Sequence, residues 1–175
     1  MSIKSKSRLL SFILMLACLA APINAFANGG PKDRTFGLGL QLGVPYGITG
    51  KIFLGSVAAL QFGIGFIGLP NIVTYEGAGS WLDLVFHFVH LNTASNIARF
   101  SFYVGPGIQF GWVGPPKYQY FAGPAHFSLR IPIGFAIHWQ TLAFDTYVEG
   151  CPNIVFLPGP IAVGPSFSVG ARYYF

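Results

Sequence analysis

The chain has 175 residues, room for one domain, and 53% of them are hydrophobic while only 9% are charged. A soluble domain usually carries about 25% charged residues, so the composition argues against an exterior built to face water. The formal net charge of +5 is unevenly spread, and much of it sits at the N-terminus.

Residues 1–27 read as a secretory signal. Lys4, Lys6 and Arg8 precede an apolar run at 9–21, Pro22 interrupts it, and Ala25 and Ala27 supply the small residues of a cleavage site, so cleavage is expected after Ala27. Cys18 offers a rival lipoprotein signal, but Met15-Leu16-Ala17 before it fits that pattern poorly. Beyond position 27 seven Lys and Arg face five Asp and Glu, a net charge of +2, with no basic patch for a nucleic acid. Cys151 is then the remaining cysteine, which rules out an intrachain disulfide. No segment there holds about 18 consecutive apolar residues, so no helical span is expected. Residues 28–34 read as a polar, flexible lead-in to a single domain at 35–175.

From 35 onward the chain alternates apolar and polar positions with a period of two, the mark of β-strands with two unlike faces. The first strand, 35–43, sets Phe36, Leu38, Leu40 and Leu42 against Gly37, Gly39 and Gln41. A tight turn at 44–47 leads to 48–54, where Ile48 and Ile52 oppose Thr49, Lys51 and Phe53. The third strand is 58–67, and the fourth, 81–91, sets Leu82, Leu84 and Phe86 against Asp83, Val85 and His87. The fifth, 99–112, contains Pro106, which has no ladder donor and is expected to kink it. The sixth, 127–137, carries Ser128, Arg130 and Pro132 on its polar face, and the seventh, 141–150, carries Asp145, Tyr147 and Glu149. The eighth, 167–175, alternates Phe167, Val169, Ala171, Tyr173 and Phe175 with Ser168, Gly170, Arg172 and Tyr174. An apolar strand at a chain terminus needs a partner on its edge, and closure of eight antiparallel strands into an up-and-down barrel supplies one.

Every charge within the strands falls on one parity: Lys51, Asp83, Arg99, Arg130, Asp145, Glu149 and Arg172. A soluble lipocalin-like carrier would turn the charged face to water; a transmembrane barrel would turn it to the lumen. The charged face is too sparse for a soluble exterior and is rich in glycine, whereas the other face is dense in Phe, Leu and Ile. A Lys or Arg on lipid at the bilayer midplane costs about 2–4 kcal/mol, which accounts for their absence there. Lys51, Asp83, His87, Arg130, Asp145, Glu149 and Arg172 are therefore expected to form a structural polar network inside the lumen. Trp81, Trp112, Trp139, Tyr173 and Phe175 lie near the expected strand ends, where interfacial aromatic belts sit. With both termini on the periplasmic side, short turns at 55–57, 92–98 and 138–140 face inward, and longer loops at 68–80, 113–126 and 151–165 face out.

The terminal strand ending in Phe175, with Arg130 to Glu149 before it, resembles small bacterial outer-membrane β-barrels, and the architecture is similar to the OmpA membrane domain and OmpX. The resemblance extends to uncharacterised spirochaete outer-membrane proteins, some of which bind host complement regulators. It implies the cell outer membrane of a Gram-negative-type bacterium, a barrel-assembly signal at Val169, Ala171, Tyr173 and Phe175, outer-membrane lipid and the barrel-assembly machinery as partners, and a host or extracellular protein at the outer loops. It implies no cofactor and a non-enzymatic role in envelope integrity or surface binding.

An enzymatic alternative rests on His126-Phe127-Ser128, which resembles the His-x-Ser of PagL-type lipid A deacylases. Leu129 stands where that family has Asn, Gln140 is an amide rather than an acid, and the parity aims Ser128 at the lumen. Asp83 and His87 share a face but stand about 13 Å apart along a strand, too far for a dyad. His87 and His90 have opposite parity, which argues against a metal site. Cys151 is expected in an outer loop. No catalytic or metal residue is assigned.

Overall fold

The computed structural model describes residues 30–67, 76–92, 97–114, 125–157 and 161–175. The expected signal segment with Ala25 and Ala27, and residues 68–75, 93–96, 115–124 and 158–160, lie outside that set. Apart from a 3₁₀ turn at Pro31–Asp33, the regular structure is antiparallel β: β1 (Phe36–Gly43), β2 (Tyr46–Phe53), β3 (Ala58–Ile67), β4 (Glu76–Asn92), β5 (Ala98–Val104), β6 (Gly107–Gly114), β7 (Ala125–Arg130), β8 (Ile133–Trp139), β9 (Phe144–Leu157) and β10 (Ala162–Tyr174). Among the described residues no helix is long and apolar enough to cross a membrane.

The sheet closes on itself. β1 pairs with β2 along one edge and with β10 along the other, Leu38 facing Gly50 and Tyr173. The apolar last strand thus has a partner on both edges, because β10 also pairs with β9. Ten strands replace the expected eight for a local reason. β5 and β6 both pair with β4, and β7 and β8 both pair with β9, so each couple is one long strand broken in the middle. The breaks fall at Gly105–Pro106 and at Ile131–Pro132, where proline withholds a ladder donor. Proline carbonyls keep the neighbours tied: Leu84 N–H donates to Pro106 at 2.9 Å and Gly105 N–H to Pro132 at 3.2 Å. The break at Pro106 is the one expected from sequence; its counterpart at Pro132 is not.

Several strands run further than their sequence suggests. β4 starts at Glu76 rather than 81, β9 continues to Leu157 rather than stopping at 150, and β10 begins at Ala162 rather than 167. Most of the expected loop at 151–165 is therefore strand, with Cys151 opposite Ser166. Pro152 and Pro165, which signal a loop, stand directly opposite each other. The Pro152 carbonyl points to the other neighbour, accepting from Ile131 N–H at 3.0 Å, so the two prolines need no bond between them. β8 likewise runs through His138 and Trp139, expected as a turn, and the turn falls at 140–143. The connection expected at 44–47 shrinks to 44–45.

Alternation along the strands sorts the side chains. Leu40, Phe102 and Phe167 are 65%, 54% and 70% exposed, whereas Lys51, Asp83, Arg130, Asp145 and Arg172 are wholly buried. The ring is apolar outside and ionic inside. Its mouth beside the strand end Tyr174 is not left open by the lead-in. Gly30 and Pro31 are buried there, Arg34 Nη1 donates to the Tyr174 carbonyl at 2.6 Å, Lys32 N–H to Gln140 Oε1 at 3.0 Å, and Arg99 Nη2 to the Gly30 carbonyl at 3.3 Å. Residues 30–34 are thus seated on the ring rather than loose; 28 and 29 lie outside the described residues.

Candidate functional site: the ionic lumen

The lumen is organised by two arginines from neighbouring parts of the ring. Arg130, on β7, has Nη2 2.9 Å from Glu149 Oε1 and Nε 3.1 Å from Asp83 Oδ1. The second contact is close but not aligned for a hydrogen bond, so it is electrostatic. Arg172, on β10, donates to Asp145 at 3.3 Å and lies over the Tyr147 ring, 4.0 Å from its centroid. Gln61 joins the two groups, its Nε2 donating to Glu149 at 2.8 Å and its Oε1 accepting from Arg172 Nη1 at 2.9 Å. Tyr103 donates to Glu149 at 2.9 Å, Tyr174 to Asp145 at 2.7 Å, and Tyr147 to Gln41 at 2.7 Å. Glu149 thus gathers donors from three strands, Asp145 takes two from β10, and Asp83, among the described residues, is held by the charge of Arg130 alone. Burying charge is tolerable where such partners are present.

All seven sequence-chosen lumen residues lie inside, but they do not form one set. Asp83, Arg130, Asp145, Glu149 and Arg172 join the two arginine groups. Lys51 stands apart: its ammonium has no hydrogen-bond partner among the described residues and lies 4.6 Å from the Tyr103 ring centroid and 5.2 Å from that of Phe53. His87 belongs to a third cluster near the mouth capped by residues 30–34. There Ser101 Oγ shares hydrogen bonds with His87 Nδ1 at 3.0 Å and His138 Nε2 at 2.9 Å. His138 falls in the expected turn at 138–140; extending the sixth strand by one residue puts it on the lumen parity of Ser128 and Arg130. Gln61, Ser101, Tyr147 and Tyr174 carry the right parity, but nothing in sequence marks them as partners of particular charges.

Space for these side chains comes from glycine directly across the ladder. Tyr103 faces Gly134, Tyr147 faces Gly170, Tyr174 faces Gly37 and Trp81 faces Gly63. A Cβ at Gly134 would fall within the Tyr103 ring, and one at Gly63 within the Trp81 indole. Trp81 is therefore an interior residue, 3% exposed, and not a member of the outer aromatic belt. It lies well inside β4 because that strand begins at Glu76. Trp112, Tyr173 and Phe175 do face outward, as do Val169 and Phe175 of the terminal segment, with Ala171 half-buried between them.

The remaining candidates are also placed. His126 and Ser128 both face the lumen, two residues apart on β7; Ser128 is buried and its Oγ has no hydrogen-bond partner among the described residues. Cys151 is an interior strand residue rather than a loop thiol, with Sγ 3.7 Å from Asn153 Oδ1. Among the described residues no three His, Cys, Asp or Glu side chains could hold a metal ion. Comparison with protein-family models, with curated proteins and with solved structures finds no match.

Proposed function

We propose that this chain is an eight-staved transmembrane β-barrel of a bacterial outer membrane, non-enzymatic, with a bore sealed by its own side chains. It contributes to envelope integrity or presents its outer loops to an external partner. One observation carries this: the ring has its ionic groups inside and Leu, Ile and Phe outside. Among the described residues 31 large apolar side chains are exposed, a surface that water does not tolerate as a continuous patch and that hydrocarbon requires. A soluble carrier of the lipocalin kind would need the opposite arrangement. The sealed bore follows from Arg130, Arg172, Tyr103, Tyr174 and Lys51, the largest fully buried side chains, all pointing into it. The lipid A deacylase alternative has no supporting contact at Ser128.

Heat-modifiable gel mobility of the membrane fraction tests the proposal. The protein is expected in the envelope pellet, migrating differently boiled and unboiled. Recovery in the aqueous fraction without a mobility shift would reject it.

A further inference from the structure

The apolar exterior carries a notch in one quadrant. Across β1, β10, β9 and β8 the register lines up outward-facing rows. Nearest the capped mouth is Leu38–Tyr173–Phe144–Trp139, and the next row is Leu40–Ala171–Thr146–Ile137. Ala171 and Thr146 are small, and their neighbours are large. A groove of about 500 Å³ opens over them, walled by Leu40, Phe135, Ile137 and Val148. The Thr146 hydroxyl accepts from the Trp139 indole N–H at 3.2 Å, which withdraws it from the groove.

The same quadrant carries the cationic part of the mouth. Arg34 reaches Tyr173 and Tyr174 at the end of β10, and its guanidinium lies 5.9 Å from the Tyr173 ring centroid. Lys32 is exposed and tied through its backbone to Gln140, next to Trp139. Asp33 is electrostatically engaged with Arg99, which leaves Lys32 and Arg34 as surplus positive charge. The notch begins two residues along β10 from Tyr173, about 7 Å.

We propose that groove and rim together bind one anionic phospholipid, its phosphate at Lys32 and Arg34 and one acyl chain over Ala171 and Thr146. The site rests on the membrane assignment above. The apolar length sets the acyl chain, and the unbalanced charge selects an anionic headgroup over a zwitterionic one.

The test is native mass spectrometry of the protein released from nanodiscs of equimolar phosphatidylglycerol and phosphatidylcholine. One retained phosphatidylglycerol is expected in preference to phosphatidylcholine. Lys32→Gln and Arg34→Gln should each reduce that preference about fivefold, and Thr146→Phe, which fills the notch from β9, should abolish retention of either lipid while the heat-dependent gel shift persists. Equal retention of the two lipids, or a preference unchanged in the Lys32→Gln/Arg34→Gln double variant, would overturn the site and leave the barrel standing. Failure of the protein to insert into the nanodiscs would instead sink the membrane assignment, and this site with it.

Discussion

Glu149 accepts hydrogen bonds from Arg130, Gln61 and Tyr103, so its loss would leave three buried donors facing nothing. Glu149→Ala is expected to destabilise the folded ring by about 3–5 kcal/mol, read from urea unfolding in detergent micelles. Lys51 is the contrasting case. Its ammonium is buried without a hydrogen-bond acceptor among the described residues, so Lys51→Met, which keeps the bulk between Phe53 and Tyr103, should leave stability unchanged or raise it. Equal losses in the two variants would contradict the connectivity drawn here. At this scale the sequence discloses the charges, because parity alone marks them as one face. It does not disclose their pairing, since which carboxylate meets Arg130 depends on the stagger between strands, and stagger leaves no local trace. Trp81 was misplaced for a related reason: its role depended on where β4 begins.

Between strands, the recurrent device is a large side chain laid over a glycine on the next strand. Gly134→Ala should cost about 1–3 kcal/mol by driving a methyl into the Tyr103 ring. In a Tyr103→Ser background the same methyl should cost less, because the smaller side chain vacates the space, although Tyr103→Ser carries its own loss through the Glu149 bond. A Gly134→Ala cost that is the same with Tyr103 and with Ser at position 103 would show that the glycine serves the backbone instead. Strand existence and facing were legible in the period-two pattern. Strand ends were not, because glycine and proline signal a stop by composition even where the ladder runs on. In β9 and β10 two prolines sit at positions whose backbone groups point away from each other, so the ladder continues past them. Pro106 and Pro132 do the reverse, each breaking a long strand without ending its alternation.

For the molecule as a whole, closure between β1 and β10 could be inferred from an apolar strand at the chain terminus, which demanded a second neighbour. The capped mouth could not: residues 30–34 are glycine, proline and charge, a linker by composition, and contacts to Arg99, Gln140, Tyr173 and Tyr174, distant in sequence, hold them. With the bore filled by arginine and tyrosine side chains, the protein in planar bilayers should show no stable ionic conductance above background. Steady single-channel openings would contradict a sealed lumen. The inside-out distribution of side chains is tested most directly by two tryptophans. Trp112 is 40% exposed on the outer face and Trp81 is 3% exposed within the ring. In single-tryptophan variants reconstituted with lipids brominated on their acyl chains, Trp112 fluorescence should be strongly quenched and Trp81 spared. Quenching of Trp81 with Trp112 untouched, or of neither, would contradict the assignment of the apolar face to lipid.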